Sequence, residues 1–185
     1  LALVLAILAY DVWLKNGALG PAAMGVCRSL DVVLGLSATL PAHAWPYALP
    51  CLLGLFTLLI TRLSRFEVFG ANPTILRGTL FGFVLWFLLL VAALIWVSVA
   101  AAGGGASWWA APLVLYLIVR ERRLLSPLRT QVTPPLLGRA IGGGIMLMPA
   151  IDAAFVAASG SAILAAFVFA LSGPAVWLKR WYYLT

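Results

Sequence analysis

Laid out as membrane spans, the apolar runs of this chain put every Lys and Arg except Arg28 on one side. The runs cover approximately 1–14, 20–40, 45–61, 78–101, 107–119, 136–158 and 161–178, and the loops between them alternate sides. Lys15 follows the first run, and Arg62, Arg65 and Arg77 follow the third. Arg120, Arg122, Arg123, Arg129 and Arg139 lie between or beside the fifth and sixth, and Lys179 and Arg180 follow the last. The opposite loops, 41–44, 102–106 and 159–160, hold no Lys or Arg and only His43. The positive-inside rule then makes the basic face cytoplasmic. A wrong number of spans would scatter these charges, so their asymmetry supports the span count itself.

The expected fold is all-α: a polytopic transmembrane helical bundle of about seven spans, forming a single domain over 1–185. With 64% hydrophobic and 9% charged residues, a water-soluble exterior is out of reach. Runs of roughly 20 apolar residues match the ~30 Å hydrocarbon core. Residues 107–119 are short for a crossing and call for tilt or local thinning. The first run lacks a basic leader, so it is no signal peptide. It reads as the second half of a helix, and the chain as the C-terminal portion of a longer protein. The net charge of +7 sits in short loops beside spans, which points to anionic headgroups and substrates rather than nucleic acid. Cys27 and Cys51 are isolated in apolar runs and pack as small apolar residues. Trp45, Trp108 and Trp109 at one boundary, and Trp181, Tyr182 and Tyr183 at the other, read as interfacial anchors.

Charges inside or beside the spans mark candidate sites. Arg28 and Asp31, at spacing i, i+3, share one helical face. They form either a self-neutralising pair that locks the helix or the lining of a polar cavity. Asp11 and Lys15, at i, i+4, read as a surface ion pair or as a lysine aimed at an anion and oriented by the carboxylate. The loop Thr61-Arg62-Leu63-Ser64-Arg65-Phe66-Glu67-Val68-Phe69-Gly70 contains one acid, Glu67. Its plain reading is a positive-inside loop with a compensating carboxylate. Glu121, among Arg120, Arg122 and Arg123, reads as part of a solvated cytoplasmic loop. Asp152 follows Pro149 and is expected to cap or bridge broken backbone near the non-cytoplasmic face. Gly142, Gly143 and Gly144 predict close helix packing.

The stretch Tyr10-Asp11-Val12-Trp13-Leu14-Lys15, then Leu19-Gly20-Pro21, then Met24-Gly25-Val26-Cys27-Arg28-Ser29-Leu30-Asp31 and Leu34-Gly35, resembles the UbiA family of intramembrane prenyltransferases. The likeness is strongest to the UbiA-like proteins encoded in bacterial ebo clusters, and it runs over essentially the whole chain. Ser64-Arg65-Phe66-Glu67-Val68-Phe69-Gly70 stands where that family carries its second acidic motif. The resemblance implies a bundle around a cavity open to the cytoplasm, in a bacterial inner membrane. There an isoprenoid diphosphate is bound through Mg²⁺ and its prenyl group passed to an acceptor. It also implies Lys15 as a diphosphate contact, Arg28 and Asp31 as cavity lining, Asp11 as a further candidate, and Arg65 with Glu67 as the catalytic remnant of the second motif, while Arg62 on the same basic face is a further cation for a diphosphate. Glu67 is the one metal-ligand candidate, because the family's usual pair of acids is reduced to it here. The first Asp-rich motif is expected upstream of residue 1, on helices that would partner these.

Three functions are therefore expected in order: a UbiA-type prenyltransferase, a non-catalytic membrane protein that binds or moves an isoprenoid or other amphiphile, and a transporter with ions at broken helices.

Overall fold

A computed structural model describes residues 1–37, 45–70, 72–101 and 108–174. The expectations for His43, Lys179, Arg180 and the C-terminal aromatic anchors fall outside these residues. Every regular element among the described residues is a helix, and none is a strand.

α1 spans Ala2–Ala9 and continues as a π-helical turn over Tyr10–Leu14. After a tight turn come α2 (Gly20–Ser37), α3 (Ala48–Phe69) and α4 (Pro73–Ala101). α5 spans Ala111–Leu125 and runs into a 3₁₀ turn over Ser126–Arg129. α6 (Pro134–Ile145), α7 (Met148–Ala158) and α8 (Ala162–Ala170) complete the described bundle. Among the described residues, three helical stretches are long and apolar enough to cross a membrane: Ala48–Phe69, Pro73–Ala100 and Pro134–Ala158, of 22, 28 and 25 residues. The last combines α6 and α7 across a break at Met146–Leu147. Pro149 supplies no N–H, so the helical ladder is rebuilt one turn earlier, with Leu147 N donating to Gly144 O at 2.9 Å.

α3 is the hub, packed against α2, α4, α6 and α7. Its inner face carries Leu53, Phe56, Ile60 and Leu63, at helical spacing and all buried. Phe56 meets Trp86 of α4 with ring centroids 4.6 Å apart and Phe83 edge-on at 6.0 Å. The Trp86 indole N–H donates to Leu52 O at 2.8 Å, satisfying a donor the apolar core could not otherwise absorb. Small residues set the closest approaches. A Cβ on Gly25 of α2 would stand 2.6 Å from Gly54 O of α3, and one on Gly143 would stand 2.8 Å from Leu124 Cδ1. Outward faces are apolar too, including Phe81, Leu88 and Ile95 on α4 and Ile163 and Phe167 on α8. Trp108 and Trp109 are exposed at the start of α5.

The charged segments differ from their expected form. Residues 62–69 are the last two turns of α3, and 120–125 the last turns of α5. Arg, Leu and Glu are good helix formers, so the helices run on past the apolar stretch. Gly70, at φ 82°, ends α3 where a side chain would strain the backbone. The Asn72 side chain then accepts the Thr74 N–H at 3.0 Å, capping α4 with Pro73 at its first position.

Candidate functional site

Because 62–69 is helical, Leu58, Arg62, Arg65, Phe66 and Phe69 fall on one stripe of α3. That stripe faces the turn before α2 and the start of α4, and a cavity of about 460 Å³ lies between them. Ala18, Pro21 and Ala22 form one wall, Asn72 and Ile75 another, and the α3 stripe the third. Two guanidinium groups thus share a small space with two aromatic rings and aliphatic walls. The N-termini of α2 and α4, at Pro21 and Asn72, border the same cavity. Helix N-termini carry partial positive charge, so all four features favour an anion.

Arg65 has a second task. Its Nη2 donates to Lys15 O at 2.9 Å and also to Gly17 O. The guanidinium therefore closes the C-terminal end of the π-helical segment, whose last carbonyls lack helical partners. The turn is tight enough to exclude a side chain at Gly20: a Cβ there would stand 2.8 Å from Leu14 O and 2.9 Å from Lys15 O. Lys15 is thus fixed through its backbone to the cavity's rim, while its side chain is exposed.

The other expected residues are distributed differently. Glu67 is two positions from Arg65 and so points elsewhere around the helix. A Cβ on Gly138 of α6 would stand 3.5 Å from its Oε1, and Glu67 does not line the cavity. Arg65 and Glu67 are therefore not brought together. Asp11 and Lys15 form no ion pair. Lys15 N closes an i→i+5 bond to Tyr10 O at 2.9 Å, and this wider turn shifts the i, i+4 stacking of an α-helix. Asp11 lies instead within electrostatic reach of Cys27 on α2.

Arg28 Nη1 and Asp31 Oδ2 do pair, at 2.7 Å, in the only salt bridge among the described residues. The side chains are 32% and 53% exposed, which makes this a half-open pair rather than a buried lock. Arg28 is also within electrostatic reach of Asp152 on α7, and its buried Nε has no hydrogen-bond partner among the described residues. Asp152 makes no salt bridge with Arg28, whose carboxylate partner is Asp31. This second polar cluster lies seven residues along α2 from Pro21, roughly 10 Å from the first cavity.

Glu121 departs most from expectation. It lines a cleft between α4 and α5, and burial pushes its carboxyl up to about 7. No group of three or more His, Cys, Asp or Glu that could hold a metal ion occurs among the described residues. Glu67 alone, exposed and beside α6, does not fit a Mg²⁺ site. The cavity walls contributed by Phe66, Phe69 and Ile75 were not singled out in the sequence. The spacing i, i+4, i+7, i+8, i+11 from Leu58 to Phe69 carries Phe66 and Phe69 in the sequence, but its charged half lies beyond the apolar run. Comparison with protein-family models, curated proteins and solved structures finds no match.

Proposed function

We propose that this chain forms the diphosphate-binding side of an integral-membrane prenyltransferase of the UbiA kind, which transfers a prenyl group from an isoprenoid diphosphate to an acceptor. One observation carries the reading: Arg62 and Arg65 line the same 460 Å³ cavity as Phe66, Phe69 and Ile75. A ligand with a compact anionic head and an apolar tail matches that pairing, and the volume suits a small-molecule site. Guanidiniums and helix N-termini would stabilise charge developing on the departing diphosphate. The aromatic faces would steady an allylic cation left when the C–O bond breaks. The acceptor then supplies the electron pair for the new bond and releases a proton. In this reading the bundle has about seven spans and sits in a bacterial inner membrane with the cavity on the cytoplasmic side.

A non-catalytic binder or carrier of the same amphiphile is the second reading, favoured by the absence of Glu67 from the cavity. One assay separates the two. Full-length purified protein is incubated with Mg²⁺, a prenyl diphosphate and aromatic acceptors. The enzyme reading expects diphosphate release, reduced at least about tenfold by Arg62→Ala, in line with the strength of charge-assisted hydrogen bonds. Saturable binding without release supports the carrier. No binding at all removes both.

A further inference from the structure

The far side of α4 carries a second groove. One part, about 400 Å³, is lined by Leu80, Val84, Phe87, Glu121, Arg122 and Arg129 among others. The adjoining part, about 680 Å³, adds Arg77 and shares Leu80, Val84 and Arg129. The shared residues join the two parts into one trough whose walls include three arginines, with Arg129 common to both parts. None of the three is ion-paired among the described residues. The trough's only acid is Glu121, and one carboxylate, even fully ionised, leaves the three guanidiniums with a net positive charge.

The floor is apolar and follows the helix: Leu80, Val84, Phe87 and Leu88 stand at i, i+4, i+7 and i+8 on α4. From Arg77 to Leu88 the trough runs roughly 16 Å at 1.5 Å per residue. That is about half the ~30 Å hydrocarbon core, the depth of one leaflet. Charge at the rim and one leaflet of apolar floor match a lipid with a phosphate head. A tail alone would need no cations, and a free phosphate would need no floor.

We infer that this groove holds one anionic phospholipid, its phosphate among Arg77, Arg122 and Arg129 and an acyl chain along Leu80, Val84, Phe87 and Leu88. The site shares no lining residue with the Arg62–Arg65 cavity and does not depend on the function proposed for it.

Native mass spectrometry of the full-length protein in detergent tests this with phosphatidylglycerol, phosphatidylcholine of the same chains, and glycerol phosphate. Phosphatidylglycerol is expected to be retained over phosphatidylcholine. Arg77→Gln with Arg129→Gln is expected to weaken it about fivefold for each charge removed. Both positions are exposed, so folding is not at stake. Arg62→Ala is expected to leave lipid retention unchanged, which separates this site from the first cavity. Equal retention of the two lipids, full retention by the double variant, loss of the lipid on Arg62→Ala, or displacement by glycerol phosphate would each overturn the inference.

Discussion

At the scale of single residues, backbone proximity decides more than side-chain chemistry. Gly25 and Gly54 let α2 and α3 touch, and Ser29 of α2 uses the gap to donate to Pro50 O at 2.9 Å. A methyl on Gly25 meets a carbonyl oxygen that belongs to a helix and cannot rotate away. Gly25→Ala should therefore destabilise by ~1–3 kcal/mol, the usual cost of overpacking. The thermal midpoint of the purified protein checks this, with Gly35→Ala as control, since nothing lies within 4 Å of a Cβ there. Equal midpoints for the two variants would refute the close approach. Arg65 illustrates the opposite case: a residue singled out for its charge is held by two backbone carbonyls, so it positions Lys15 as well as facing the cavity.

At the scale of elements, helix length is what relocates the functional groups. α3 carries Arg62 and Arg65 into a wall because it runs to Phe69, and α5 carries Glu121 into the cleft against α4 because it runs to Leu125. The consequence for Glu121 is a pH dependence. Its carboxyl titrates near 4.5 when solvated and at about 7 in the fold, so the folded state binds the proton more tightly. That stabilisation is complete below about 4.5 and is lost as pH rises to about 7. The loss is on the order of 3 kcal/mol at most. Arg122 and Arg129 line the same cleft and Arg77 the adjoining stretch, and none of the three forms an ion pair with this carboxyl. The midpoint difference between Glu121→Gln and the unsubstituted protein should therefore widen in favour of the variant from pH 5 to pH 7.5. A difference independent of pH would refute the burial of this carboxyl.

At the scale of the whole molecule, the two grooves and the basic helix ends belong to one arrangement. α3 and α4 meet at the turn around Gly70, and the ends that meet there bear Arg62, Arg65 and Arg77. A chain with mean hydropathy +1.10 and apolar outward faces on α4 and α8 has these charged ends as its places to meet anions. The proposed threading, with the basic ends cytoplasmic, expects an impermeant amine reagent to leave Lys15 and Lys179, the only lysines, unlabelled in intact cells and to label both after permeabilisation. Labelling from outside, or of one lysine only, would contradict that threading.

The alternation of apolar runs with basic segments determined, from sequence alone, a helical class with membrane-length spans. Both follow from local rules: an apolar stretch in lipid must satisfy its own backbone, and a helix does so within itself. The sequence likewise marked Arg28 with Asp31, because i, i+3 spacing fixes their geometry before any packing occurs. Packing decided the rest. Arg62 and Arg65 share a cavity with Phe66 and Phe69 because α2 and α4 close over one stripe of α3. Glu67 is turned toward α6, and Glu121 into the cleft against α4, by contacts between segments far apart in the chain. Such juxtapositions depend on how helices cross and how closely small residues let them approach, and no local spacing encodes that.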